Sequence, residues 1–136
     1  MRRTILGLMS VLLITTLVGC SDSYEKVAAD MVSNMQLVSN ALKSVKDKAS
    51  AEAAAAKING LGGTMDSVQA RLNKLGKPTK EIGDELNAKY SADITRIGKE
   101  IAEERDRISK LGPEVIGPVD IAMRTAMQSS MKRAAP

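Results

Sequence analysis

The sequence predicts an all-α fold, and three observations carry that prediction. Small and apolar residues recur at steps of three and four along most of the chain, the spacing of a helix face and not the alternation of a strand. Two Leu-Gly stops followed by proline, "LGKP" at 75–78 and "LGP" at 111–113, punctuate those runs. Phe and Trp are absent and Tyr occurs twice, so the core must be built from Leu, Ile, Val, Met and Ala. With 136 residues the chain suffices for one domain with a modest core. The expected arrangement is a slim antiparallel three-helix bundle or a long helical hairpin, with coiled-coil-like packing. Helices are expected near 23–46, 50–75 and 79–111, followed by a short C-terminal helix, because short connections make sequential helices antiparallel neighbours.

The first helix is read from the seam Tyr24, Ala28, Met31, Met35, Val38, Leu42, Val45 and Ala49. Asp22 with Glu25 three residues later fits a capping box at its start. A second seam runs Ile58, Leu61, Met65, Val68, Leu72 and Leu75. The step from Ala49 to Ile58 does not fit the heptad, so a turn is expected in residues 46–50, with Ser50 as the next N-cap. The alternative is one continuous helix of about 50 residues, near 75 Å at about 1.5 Å per residue. Within the second helix, "NGLGG" at 59–63 carries three glycines, each costing a helix about 1 kcal/mol relative to alanine. It follows no strand and lacks the Gly-Lys-Ser/Thr ending of a phosphate loop. The apolar seam keeps phase across it, so a bent but continuous helix is expected there. The run Ala51 to Ala56, broken only by Glu52, is a strong helix former whose small side chains allow tight packing.

After the "LGKP" stop, Thr79 caps a third helix with the seam Ile82, Leu86, Tyr90, Ile94, Ile97, Ile101, Glu104, Ile108 and Leu111. Its outer face places Glu103 before Arg107 and Asp106 before Lys110, acid four residues before base. Beyond "LGP", Val119, Met123 and Met127 with nearby Ile116 mark a short amphipathic helix from about Pro118 to Met131. Its methionines suit an adaptable contact, and folding back on the bundle is the simpler form of it. Residues 132–136 are expected to fray.

Chemistry is excluded more readily than it is found. The chain has no histidine and one cysteine, so it offers no imidazole base or ligand and no internal disulfide. No Gly-x-Ser-x-Gly elbow, Cys-His pairing or nucleotide fingerprint is present, and no catalytic, cofactor-binding or metal-ligating residue is assigned. Glu100, Glu103 and Glu104 form a carboxylate cluster, but Lys99, Arg105 and Arg107 lie close enough to neutralise it. Two-metal helix bundles also need Glu-x-x-His. The net charge of +4 is balanced, with bases spread among acids, and two tyrosines make no stacking platform; a nucleic-acid partner is not expected.

The N-terminus is the informative part. Arg2 and Arg3 precede an apolar run from Ile5 to Val18, shorter than the roughly 20 residues that span a bilayer, as in a secretory signal. The run closes on Leu17-Val18-Gly19-Cys20, the only cysteine of the chain. This segment resembles the lipobox of bacterial lipoproteins. The resemblance covers about the first 20 residues and implies cleavage between Gly19 and Cys20, a diacylglyceryl group on the Cys20 sulfur and, in many bacteria, an acyl group on the new amino terminus. Two or three chains would hold a protein stably where one would not. The rest of a twin-arginine export motif is missing, so general secretion is expected. Ser21, in place of the aspartate that favours inner-membrane retention, is compatible with the outer membrane of a diderm organism. Loss of the leader, 1–19, would leave 18 basic against 16 acidic residues, a net charge of +2.

The chain is thus expected to comprise the removed leader, a lipidated N-terminus at 20–22, a helical domain at 23–111 and a C-terminal segment at 112–136. Its expected role is that of a non-enzymatic, lipid-anchored envelope protein facing the periplasm or exterior. The helical surface would serve a structural task or bind an envelope-protein or cell-wall partner, and the heptads permit a homo-oligomer. Small coiled-coil lipoproteins that brace the outer membrane are a partial analogy. Those that attach covalently end in lysine, whereas this chain ends Lys132-Arg133-Ala134-Ala135-Pro136. The alternatives are an inhibitor or immunity-type lipoprotein that blocks a toxin, phage or lytic enzyme, and a helical protein acting at the membrane interface.

Overall fold

The computed structural model describes residues 22–132. The leader, Cys20, Ser21 and residues 133–136 of the expected frayed end at 132–136 lie outside the described residues, while Lys132 is the last residue of the final helix. The all-α class holds. Five helices follow in order: α1, Tyr24–Lys43; α2, Lys48–Gly60; α3, Gly62–Leu75; α4, Lys80–Ser109; and α5, Pro113–Lys132.

The helix starts follow local chemistry, in two cases displaced from the expected residue. Ser23, not Asp22, caps α1, its hydroxyl accepting from the Lys26 backbone N–H at 3.2 Å. Asp47, not Ser50, caps α2: its carboxylate accepts from the Ser50 N–H at 2.8 Å while the Ser50 hydroxyl accepts from the Asp47 N–H at 2.9 Å, a reciprocal box. The first two helices are therefore separate, with a turn slightly earlier than expected. Gly76 ends α3 at φ 77°, a left-handed conformation that glycine adopts without strain, and Thr79 caps α4.

The glycine stretch divides the second rod at one residue, Leu61. Leu61 ends α2 and opens α3 in right-handed helical conformation, accepting from the Met65 N–H and donating to the Lys57 carbonyl. The C-terminal helix is longer than expected and begins at Pro113, because proline at the first helical position lacks only a donor that would be orphaned anyway. Gly112, at φ 124°, accepts from the Val115 and Ile116 N–H groups. Pro118 is accommodated inside this helix instead of starting it.

Helix α1, the α2–α3 rod and α4 alternate in direction, as expected of sequential antiparallel helices; the departure lies in which of them pack together, since α4 lies chiefly on α1 and α5 lies on the α2–α3 rod. The α2–α3 rod runs back along α1, as Tyr24 reaching Leu75 and Asp30 reaching Arg71 show. Helix α4 then lies beside α1 in parallel: Glu25 meets Lys89, Gln36 meets Arg96, and Lys43 meets Glu100. Helix α5 folds back, as expected, chiefly onto α2, with further contact to α3. A full-length return rod makes this possible, since it brings the chain to the starting end before α4 sets off.

The core sits where α1, α2 and α5 meet the end of α4. Val38, Leu42, Val45, Ala51, Ala54, Ile58, Ile108, Val115, Val119 and Ala122 are all buried there. Of the alanines in the 51–56 run, Ala51, Ala54 and Ala55 are buried against this core while Ala53 and Ala56 are exposed, and the small buried side chains suit the contact between α2 and α5. Along α4 only Ile97 and Ile108 are fully buried, while Ile94 is exposed.

Candidate functional site

Three places deserve description as sites, and the first is the end of the bundle at which the chain enters. Arg71 on α3 clamps that entry: its Nε lies 2.6 Å from Asp22 Oδ1 and its Nη1 2.6 Å from Asp30 Oδ2. The hydrogen bond to Asp30, with that to Asp22, raises the guanidinium pKa against the cost of its desolvation. One residue on, Ser23 caps α1, and the Tyr24 hydroxyl donates to the Leu75 carbonyl at 2.5 Å, meeting an acceptor exposed by the end of α3. Glu25 pairs with Lys89 of α4, which also lies 5.5 Å from the Tyr90 ring centroid. That pairing lowers the Glu25 pKa. The first residues of the described chain are thus tied to both α3 and α4. Because α4 starts at Lys80 and meets Glu25 only at Lys89, its opening turns extend past the start of α1. The exposed side chains of Lys74, Lys77 and Lys80 mark this end.

The second place is the carboxylate cluster of α4, which the structure resolves into separate ion pairs. Glu100 accepts from Lys43 at 2.6 Å, from the buried Ser39 hydroxyl at 3.0 Å and from Arg96 at 2.6 Å. These hydrogen bonds, Lys43 first, hold its pKa down to about 2. Glu103 pairs with Lys99 and Glu104 with Arg107. Arg107 therefore does not pair with Glu103 as the spacing suggests. It turns inward, and its Nη2 donates to the Leu42 carbonyl at 3.2 Å, capping the end of α1. Arg105 reaches Asp120 of α5 instead of the cluster. Each of the three acids has a base, and the contacts of Glu100 with Lys43 and Ser39 fasten α4 to α1.

The third place was not legible as a site. A cleft of about 180 Å³ opens between α1 and α3, lined by Met31, Asn34, Met35, Met65, Val68 and Gln69. The heptad placed Met31 and Met35 on the core seam, but Met31 is 50% exposed and Met35 only partly buried. The buried face in this half of α1 is carried by Val27 and Asn34. Asn34 is 6% exposed, and its side chain makes no hydrogen bond among the described residues. Met65 also borders a smaller cavity of about 50 Å³, shared with Met123. The shared fourfold spacing of Met31 and Met35 was the available signal, and ordinary helix packing produces the same spacing.

Among the described residues no group of three or more His, Cys, Asp or Glu is placed to hold a metal ion, and no helix is long and apolar enough to cross a membrane. The sequence-predicted lipidation residue, Cys20, lies outside the described residues, as does the Gly19–Cys20 cleavage point. Comparison with protein-family models, curated proteins and solved structures gives no match.

Proposed function

We propose that this is a lipid-anchored, non-enzymatic envelope protein whose helical bundle stands on the membrane and presents its far end to a structural or binding partner. The observation that carries this reading is the Leu17-Val18-Gly19-Cys20 segment closing an apolar leader. The clamp at Asp22 supports a defined orientation. Asp22 lies two residues after Cys20, so a lipid on Cys20 enters the bilayer within about 7 Å of the clamped backbone. Lys74, Lys77 and Lys80 would then face the headgroups. The 30-residue α4 would carry the α4–α5 turn about 45 Å away at 1.5 Å per residue. In this reading the distal turns, 44–47 and 110–112, are the surfaces offered to a partner.

Mass spectrometry of the N-terminal peptide from the membrane fraction tests the proposal. A mature chain beginning at Cys20, carrying diacylglyceryl mass and released to the soluble fraction by Cys20→Ser, is the expected result. An intact leader or an unmodified Cys20 thiol on the membrane-bound protein overturns it. In-cell cross-linking of the lipidated protein, with Cys20→Ser as control, then separates a recruited partner from self-association or wall contact.

A further inference from the structure

We propose that the α1–α3 cleft binds a soft monovalent metal ion, Cu(I) or Ag(I), through the thioether sulfurs of Met31, Met35 and Met65. The inference does not depend on the lipid anchor. Met31 and Met35 are four residues apart, which places both on one face of α1, and Met65 meets them from α3 across the same opening. Thioethers are soft, neutral ligands and select Cu(I) over hard cations, and the lining contains no carboxylate, imidazole or thiolate to recruit magnesium, calcium or zinc.

Packing alone accounts poorly for the arrangement. Leucine would close such a seam with less flexibility, whereas three methionines surround a space that stays open. Their rotatable side chains can converge on an ion, and the half-exposed Met31 provides a way in. The second observation is Asn34. It is 6% exposed and lines the cleft, where its amide carbonyl dipole can face a positive charge. The polarity of the site is therefore matched to a cation held by neutral donors.

Titration of the full mature protein in detergent with silver nitrate, followed by the 13C-methyl resonances of methionine, tests the site directly. The Met31, Met35 and Met65 methyl signals should shift together and saturate at one Ag(I) per chain, with zinc producing no such shift. Leucine nearly conserves methionine volume, so Met31→Leu, Met35→Leu and Met65→Leu should keep the helical circular dichroism. Each should weaken Ag(I) binding by about tenfold or more, at least the loss that second-shell changes cause in metal sites. Met123→Leu, which removes a sulfur beside Met65 but outside the cleft, should leave the affinity unchanged. Absence of the three methyl shifts, shifts spread over all methionines without saturation, or unchanged affinity in the triple leucine variant overturns the proposal. If a variant loses helicity, the methyl shifts of the unaltered protein decide the matter.

Discussion

Leu42 shows how much one side chain holds in this bundle. It is fully buried in the main core, and its carbonyl receives Arg107. Leu42→Ala should cost about 2–5 kcal/mol, from lost transfer energy and the cavity left behind, measured as a shift in urea midpoint at unchanged slope. Glu100 gives the molecule a pH dependence of known sign. The folded protein keeps this carboxylate ionised down to about 2, against an ordinary value of 4.5, because Lys43, Ser39 and Arg96 donate to it. Its contribution is present above the ordinary value of 4.5 and is lost as pH falls toward 2, because across that window the unfolded chain takes up a proton that the folded carboxylate refuses. The urea midpoint should fall across that window, and Glu100→Gln should flatten the fall. A slope identical in both proteins would contradict the assignment.

At the scale of the element, helix interruptions are the places to gain stability. A Cβ built at Gly62 or Gly63 meets nothing within 4 Å, and both residues are helical. Gly62→Ala and Gly63→Ala should each stabilise by about 0.5–1 kcal/mol through helix propensity. Pro118 sits inside the unbroken α5 and leaves one helical carbonyl without its backbone donor, so Pro118→Ala should stabilise by up to about 3 kcal/mol, with thermal unfolding as the measure. Helix existence was legible in the sequence because periodicity and the Gly76 and Gly112 stops act locally. The buried face of α1 was legible from Val38 and Leu42 onward and not before them. Up to Met35 it is set by two neighbours, α3 and α4, which turn Val27 and Asn34 inward and leave Met31 at the cleft. The α5 start was misplaced because Pro118 and Pro113 carry the same helix-start signal, and the chain uses the earlier one. The clamp formed by Arg71 was equally unreadable, since it joins residues far apart in sequence.

In the whole molecule, the parallel pairing of α1 with α4 is the organising feature; its direction follows from two antiparallel connections in succession, whereas the choice of α2 as the main partner of α5 was not legible, because sequential order says nothing about which non-neighbours meet. The two helices are fastened along their length by Glu25–Lys89, Lys43–Glu100 and the Arg107–Leu42 contact. The Asp22–Arg71 clamp adds a fastening to α3 where α1 begins. These attachments decide how the protein bears load. A pull applied to the chain at residue 22, against a hold at the α4–α5 turn, acts along the axis of α1 and slides it past both neighbours. Its contacts are strained together, in shear, and do not open one after another as in a zipper. In single-molecule stretching, a pull between those points should meet a higher rupture force than one that peels α5 away from its C-terminal end. The bundle would then resist tension best along the direction from which its chain enters.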